Sequence, residues 1–244
     1  MTITRLILAA LLALPAGPLG GSPWDKPAEK WDQADAYRTL QDSPWSPADV
    51  KLDAKTTMRH TDSLTGLVTD SPINFSSANP VPGVAVSRGK PQPAVPVLWW
   101  SSKTVRLAQQ RIRQLRNADQ PAEPLRVEDL PDYVLVIEGS EAQRIFRDAS
   151  EDLHDTVFLE LPDGGTLDLK SVSFFEGSEQ EEVRTEFHFP RQIDGRATLD
   201  PDTERVVFHC KGSAKTPRAG RGNAIALRAE FKPRNMRAHG LPDL

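Results

Sequence analysis

Cys210 is the only cysteine among the 244 residues of this chain. A lone thiol excludes a disulfide framework and every paired-cysteine zinc spacing, so hydrophobic burial has to carry the stability. Long apolar runs are missing as well. The most apolar stretch, LILAALLAL at residues 6–14, is about half the roughly 20 residues a membrane-spanning helix needs. Catalytic signatures are scarce. There is no G-x-S-x-G and no H-x-x-x-H, and two phosphate-loop near misses fail. Between Gly83 and Gly89-Lys90 there is one residue too many, and Pro91 stands where the metal-binding hydroxyl belongs. In Gly212-Ser213-Ala214-Lys215-Thr216, Ala214 replaces the second glycine. Ser87 and Lys90 match S-x-x-K, but within a Gly/Pro-rich stretch rather than on a helix.

What is present begins with Arg5, the short apolar run, and then Pro15, Gly17, Pro18, Gly20 and Gly21. Basic start, short apolar stretch and small residues predict a signal peptide over residues 1–20, cleaved after Gly20. The mature chain is then expected outside the cytoplasm, periplasmic or extracellular, without a transmembrane segment. That location argues against nucleic acid as a partner.

The composition, 38% hydrophobic and 26% charged, is ordinary for a globular protein. The net charge of −4 conceals blocks. Residues 119–204 hold 23 acidic against 7 basic residues, residues 211–237 hold 8 basic against 1 acidic, and residues 103–116 hold 5 basic and no acidic. Blocks of opposite sign attract each other within a fold or attract partners.

Periodicity sketches an α+β protein with one core. Trp31, Ala34, Tyr37 and Leu40 predict a helix over residues 27–41, stopped by Ser43-Pro44-Trp45-Ser46-Pro47. Val50, Leu52, Ala54 and Met58 alternate as in a half-buried strand, completing an N-terminal unit at 21–60. Residues 61–94, rich in Ser, Pro, Gly and Asn, are expected to be a loop or linker. The core domain is expected at 95–244. A strand at 95–100 leads to a helix capped by Ser101 or Ser102, with Val105, Ala108, Ile112 and Leu115 as its apolar stripe. The run YVLVI at 133–137 predicts a central strand buried on both faces. Strand, basic helix and strand together suggest a parallel crossover. A second helix is expected at 141–149.

From residue 156 onward the pattern suggests a mainly antiparallel sheet of about five strands. Pro162-Asp163-Gly164-Gly165 and Asp194-Gly195 are turn signals. A phase change near residues 170–172 predicts a bulge. Val183, Thr185, Phe187 and Phe189 should face one way, and Glu182, Arg184, Glu186 and His188 the other. Val206, Phe208, Cys210, Ile225, Leu227, Ala229 and Phe231 should line the core. Adjacent Trp99 and Trp100 must point to opposite faces.

Few constellations carry chemistry. His188 and His209 are the best metal candidates, because both fall mid-strand on polar faces and could converge if their strands were neighbours in the right register. Asp200, Asp202 and Glu204 are spaced like calcium ligands, yet Arg205 stands where that loop needs glycine, so a solvated turn is expected. Arg106 and Arg113 on the basic helix, with Lys215, Arg218 and Arg221 in the stretch 211–221, are the candidate contacts for an anionic partner such as an envelope component. No cofactor site is indicated.

The pattern Trp31, Asp35-Ala36-Tyr37-Arg38, Leu40, Ser43-Pro44-Trp45 resembles the opening of small uncharacterised exported bacterial proteins. Leu98-Trp99, Arg106-Leu107-Ala108, and Phe231-Lys232-Pro233 with Met236 and Gly240 are similar to their later segments. The resemblance implies an envelope or secreted location and supplies no activity. The function expected from all this is a non-enzymatic binding or envelope-associated protein. An extracytoplasmic hydrolase with a non-contiguous site and a structural or assembly factor of the envelope remain the alternatives, and a perturbed titratable pair in a pocket would separate them.

Overall fold

The computed structural model describes residues 21–47, 50–54, 57–61, 68–72, 96–117, 124–178, 182–213 and 224–244. The expected leader with Gly20, most of 61–94, and Lys215, Arg218 and Arg221 lie outside the described residues. In chain order the strands are β1 (Val50–Ala54), β2 (Thr57–Thr61), β3 (Val68–Pro72), β4 (Val97–Trp99), β5 (Asp132–Glu138), β6 (Val157–Glu160), β7 (Thr166–Asp168) and β8 (Ser171–Phe175). They continue with β9 (Arg184–Pro190), β10 (Gln192–Ile193), β11 (Arg196–Ala197), β12 (Val206–Ser213), β13 (Ala224–Phe231), β14 (Arg237–Ala238) and β15 (Leu241–Pro242). The helices are α1 (Gln33–Gln41), α2 (Lys103–Arg116), α3 (Ser140–Asp148) and α4 (Leu153–Thr156).

The α+β class is as expected, but the strands are divided differently. Instead of one sheet of about five strands, the described residues form two larger antiparallel sheets. One has the order β1-β13-β12-β6-β7 and the other β4-β5-β9-β8, beside three two-stranded ribbons. The two large sheets face each other. Phe208 of β12 meets Phe187 and Phe189 of β9 at ring-centroid distances of 5.5 and 6.2 Å, and Phe231 of β13 meets Trp99 of β4 at 5.1 Å. Helix α3 wedges into one end, its Phe146 packing edge-on to Phe187. Gly212 makes room for it, since a Cβ there would stand 2.8 Å from the Phe146 ring. The alternation read from β9, β12 and β13 holds: Thr185, Phe187, Phe189, Val206, Phe208, Cys210, Ile225, Leu227, Ala229 and Phe231 are all buried. Burial also pushes the Cys210 thiol well up.

The central strand is β5, buried along YVLVI and flanked by β4 and β9. Its pairing with β4 corrects the expected parallel crossover: Val97 pairs with Ile137 and Trp99 with Leu135, antiparallel. The cause is the connection after α2. Arg126 exchanges backbone hydrogen bonds with the Gln110 side chain in mid-helix, and Asp129 pairs with Lys103 at the helix start. The chain therefore runs back along α2 before entering β5, which reverses the strand direction.

Three smaller expectations also change. The helix expected over 27–41 starts only at Gln33, because the Asp32 side chain accepts from Asp35 N (2.8 Å) and fixes the N-cap there. Its buried residues are Ala36 and Thr39, whereas Ala34 is exposed. Strand β3 falls inside the stretch expected to be a loop and pairs with β2, Thr57 opposite Pro72. At the expected bulge, Lys170 N donates to His188 O (2.8 Å) while Ser171 is the register partner of His188, so two residues stand opposite one. At this point the chain leaves one sheet for the other, since β7 belongs to the first and β8 to the second. The phase change in the sequence marks that crossing.

Candidate functional site

The sheet β4-β5-β9-β8 has a second face, turned away from the phenylalanines. Register pairs share a face, so Asp132, Val134, Val136 and Glu138 of β5 lie with Pro190, His188, Glu186 and Arg184 of β9 and with Ser171, Ser173 and Phe175 of β8. Helix α2 reaches this face, where Gln109 Nε2 donates to Glu138 Oε1 (3.3 Å). Across the face runs a ladder of charges. Lys170 Nζ bonds Asp132 at 2.8 Å, and the Asp132 carboxylate stands 3.9 Å from His188 Nδ1. His188 Nε2 stands 3.6 Å from Glu186, and Glu186 accepts from Arg184 Nε at 2.7 Å. The 3.6 and 3.9 Å separations are too long for formed hydrogen bonds. The Arg184 guanidinium lies between two rings, 4.7 Å from Trp100 and 4.0 Å from Phe175. Trp100 is thus covered by an arginine, while Trp99 is buried in the core.

Two carboxylates on this face are pushed in opposite directions. Burial drives the Glu138 carboxyl up to about 7, helped by the Glu182 charge and opposed by Arg184. Burial also pushes Glu186 upward, but His188 and Arg184 outweigh it and hold this carboxyl below its usual range. Because Glu138 has a folded pKa above its unfolded value, the folded state binds the extra proton between about 4.5 and 7. Its contribution to stability therefore falls as pH rises through that window. Glu138→Gln should raise the unfolding temperature at pH 8 by roughly 5 °C, and by only a small part of that at pH 5, near the lower edge of the window. Scanning calorimetry at the two pH values tests this; an equal shift at both would remove the proton from the explanation.

His188 and His209 do not converge. They stand on different sheets, each pointing outward, with the core between them. His209 stacks on Phe158 (4.7 Å) and bonds Glu160 through Nε2 at 2.8 Å, which holds the Glu160 carboxyl low. Arg205 bridges Glu160 (3.3 Å) and Glu230 (3.0 Å) on the same outer face, above Val207, which is fully buried beneath them. Among the described residues no group of three or more histidine, cysteine or carboxylate side chains is arranged to hold a metal ion. The Asp200–Glu204 stretch is a turn. Asp200 Oδ1 accepts from Asp202 N (2.8 Å), Asp202 pairs with Arg237, and Glu204 pairs with Arg234.

The basic helix is largely consumed by the fold. Lys103 pairs with Asp129 at 2.8 Å. Arg106 donates to the Ser101 and Ser102 carbonyls, and burial pushes its guanidinium downward against the pull of Asp243 and Asp129. Arg111 donates to Trp31 O (2.8 Å), Arg116 to the Tyr37 hydroxyl (2.7 Å), and Arg113 has a partner of its own. These bonds clamp the N-terminal unit onto α2. Of the stretch 211–221, Lys211 is described and exposed.

Asp132, Glu138 and Lys170 escaped the sequence reading. A signal existed for two of them: Asp132 and Glu138 bracket YVLVI at an even spacing, which puts both on one face of a strand. No family model, no curated protein and no solved structure matches the chain. Among the described residues no helix is long and apolar enough to cross a membrane.

Proposed function

We propose that this chain is an exported protein of the cell envelope or its surroundings that acts by binding rather than by catalysis. The observation that carries this reading is how the charged side chains are used. The ladder from Lys170 to Arg184, the Arg205 bridge and the arginines of α2 hold one another or the backbone at fixed positions. Such groups build a rigid frame. The basic start and short apolar run of residues 1–20 support export.

Within this reading, an anionic envelope component is bound by Lys215, Arg218 and Arg221. Strands β12 and β13 pair as far as Ser213 opposite Ala224, and these three cations fall between the two strands in sequence. Arg106 and Arg113 are withdrawn from that role because α2 uses its cations internally. Exposed charges attract weakly and are screened over about 8 Å at physiological salt. Binding to beads carrying anionic lipid or acidic polysaccharide should accordingly be modest and lost at high salt. Changing Lys215, Arg218 and Arg221 together to glutamine should abolish most of it and leave the unfolding temperature unchanged. A lowered unfolding temperature with unchanged bead binding would assign the three cations to internal pairing and sink the anion-binding reading.

A further inference from the structure

Strand β8 ends its sheet, and among the described residues no strand pairs with its far side. Its sequence, Ser-Val-Ser-Phe-Phe, holds none of the charges or prolines that natural edge strands use to block pairing. The direction of its backbone groups follows from the ladder. Gly139 N donates to Val183 O (2.8 Å). By the strict alternation of antiparallel pairing, the backbone of residues 185, 187 and 189 then bonds toward β5, and that of 184, 186 and 188 toward β8. The register pairs Ser171 with His188, Ser173 with Glu186 and Phe175 with Arg184. Ser171, Ser173 and Phe175 therefore bond inward, and the N–H and C=O groups of Val172 and Phe174 face the open side.

We infer that a second copy of this chain docks on that edge, β8 against β8, about a two-fold axis through Ser173. Antiparallel pairing about Ser173 sets Val172 opposite Phe174 of the other copy, and the reverse, so all four outward groups find partners at once. The apolar side chains that meet are a β-branched residue and an aromatic, a favourable cross-strand pair. Charge fits the same axis. Lys170, bonded to Asp132, precedes the strand and Glu176, paired with Arg147, follows it; both remain more than half exposed, so each copy sets a cation beside the other's anion as an added partner to these pairs. A two-fold contact of this kind closes on itself and joins the two four-stranded sheets into one. A parallel or shifted pairing would forfeit the charge match.

The test uses the full chain. Sedimentation equilibrium from roughly 1 to 200 µM should show a monomer–dimer equilibrium and no larger species, as expected of a small closed interface. Ser173→Lys places two like charges on the axis and should weaken the dimer by about tenfold or more, while circular dichroism stays unchanged because Ser173 is exposed. Ser173→Cys reads the axis independently of that variant. Two β-carbons about 4.5–5.5 Å apart in a non-hydrogen-bonded pair should oxidise to a disulfide-linked dimer, and buried Cys210 should not compete. Ser171→Cys is the control, because its two copies would be about 14 Å apart along the strands. A monomer throughout the concentration range, absence of cross-linking at position 173, or equal cross-linking at position 171 would each overturn the inference.

Discussion

Phe208→Ala should cost about 3–5 kcal/mol and lower the unfolding temperature by about 10 °C. The ring is fully buried and lies between Phe187 and Phe189 of the opposite sheet. Its removal leaves a cavity at the junction of two rigid layers, each fixed by its own ladder, so neither can collapse into the space. Stabilities of single domains lie in the range of about 5–15 kcal/mol, so this one truncation takes a large share of the total. Chemical denaturation with urea checks it. The slope of free energy against denaturant should stay near the parent value while the midpoint falls. A loss below about 1 kcal/mol would mean that the two sheets do not depend on each other, since surface positions lose no more than that.

Asp243→Ala is expected to cost about 2–3 kcal/mol. The Asp243 carboxylate accepts three hydrogen bonds at the start of α2, from Ser102 Oγ (2.7 Å), Lys103 N (2.8 Å) and Thr104 N (2.9 Å). Ser102 and Thr104 are buried, so alanine would strand their donors away from water. The charge also opposes the positive end of the helix dipole. Asp243→Asn keeps one acceptor and turns donor groups toward donors, so it should recover less than half of the loss. Because Trp45 Nε1 bonds the Asp243 carbonyl (2.6 Å), the backbone of this strap is held independently of the side chain. Thermal unfolding of the two variants, followed by Trp fluorescence, separates the carboxylate's part from that of the strap. Equal stability of alanine variant and parent would remove the helix cap from the account.

Some of the candidate site was legible in advance. The period-two pattern of β9 places Arg184, Glu186 and His188 on one face, and it does so because successive side chains of any extended strand alternate. That the three would meet Asp132, Glu138 and Lys170 was not legible. It depends on β9 lying between β5 and β8, a neighbour relation that no local pattern encodes. The pairing of His188 with His209 failed for the same reason: both positions were read correctly as outward-facing, but on sheets that turned out to be different. The basic helix misled in another way. A run of cations without acidic neighbours looks the same in sequence whether solvent, a partner or the fold's own carbonyls and Asp129 hold it.

By itself the sequence determined the quantities that are local. The apolar run of β5, the alternation in β12 and β13, a serine cap at residue 101 or 102 and the turn at Asp194-Gly195 follow from side-chain direction, capping and backbone preference within a few residues. Only the tertiary structure decided that the strands form two sheets, that β4 meets β5 antiparallel, and that Asp243 caps a helix about 140 residues earlier. Those choices are set by which apolar faces bury one another and by the path of connections such as residues 124–131. They are differences between large packing energies over the whole chain, and no window of sequence contains them.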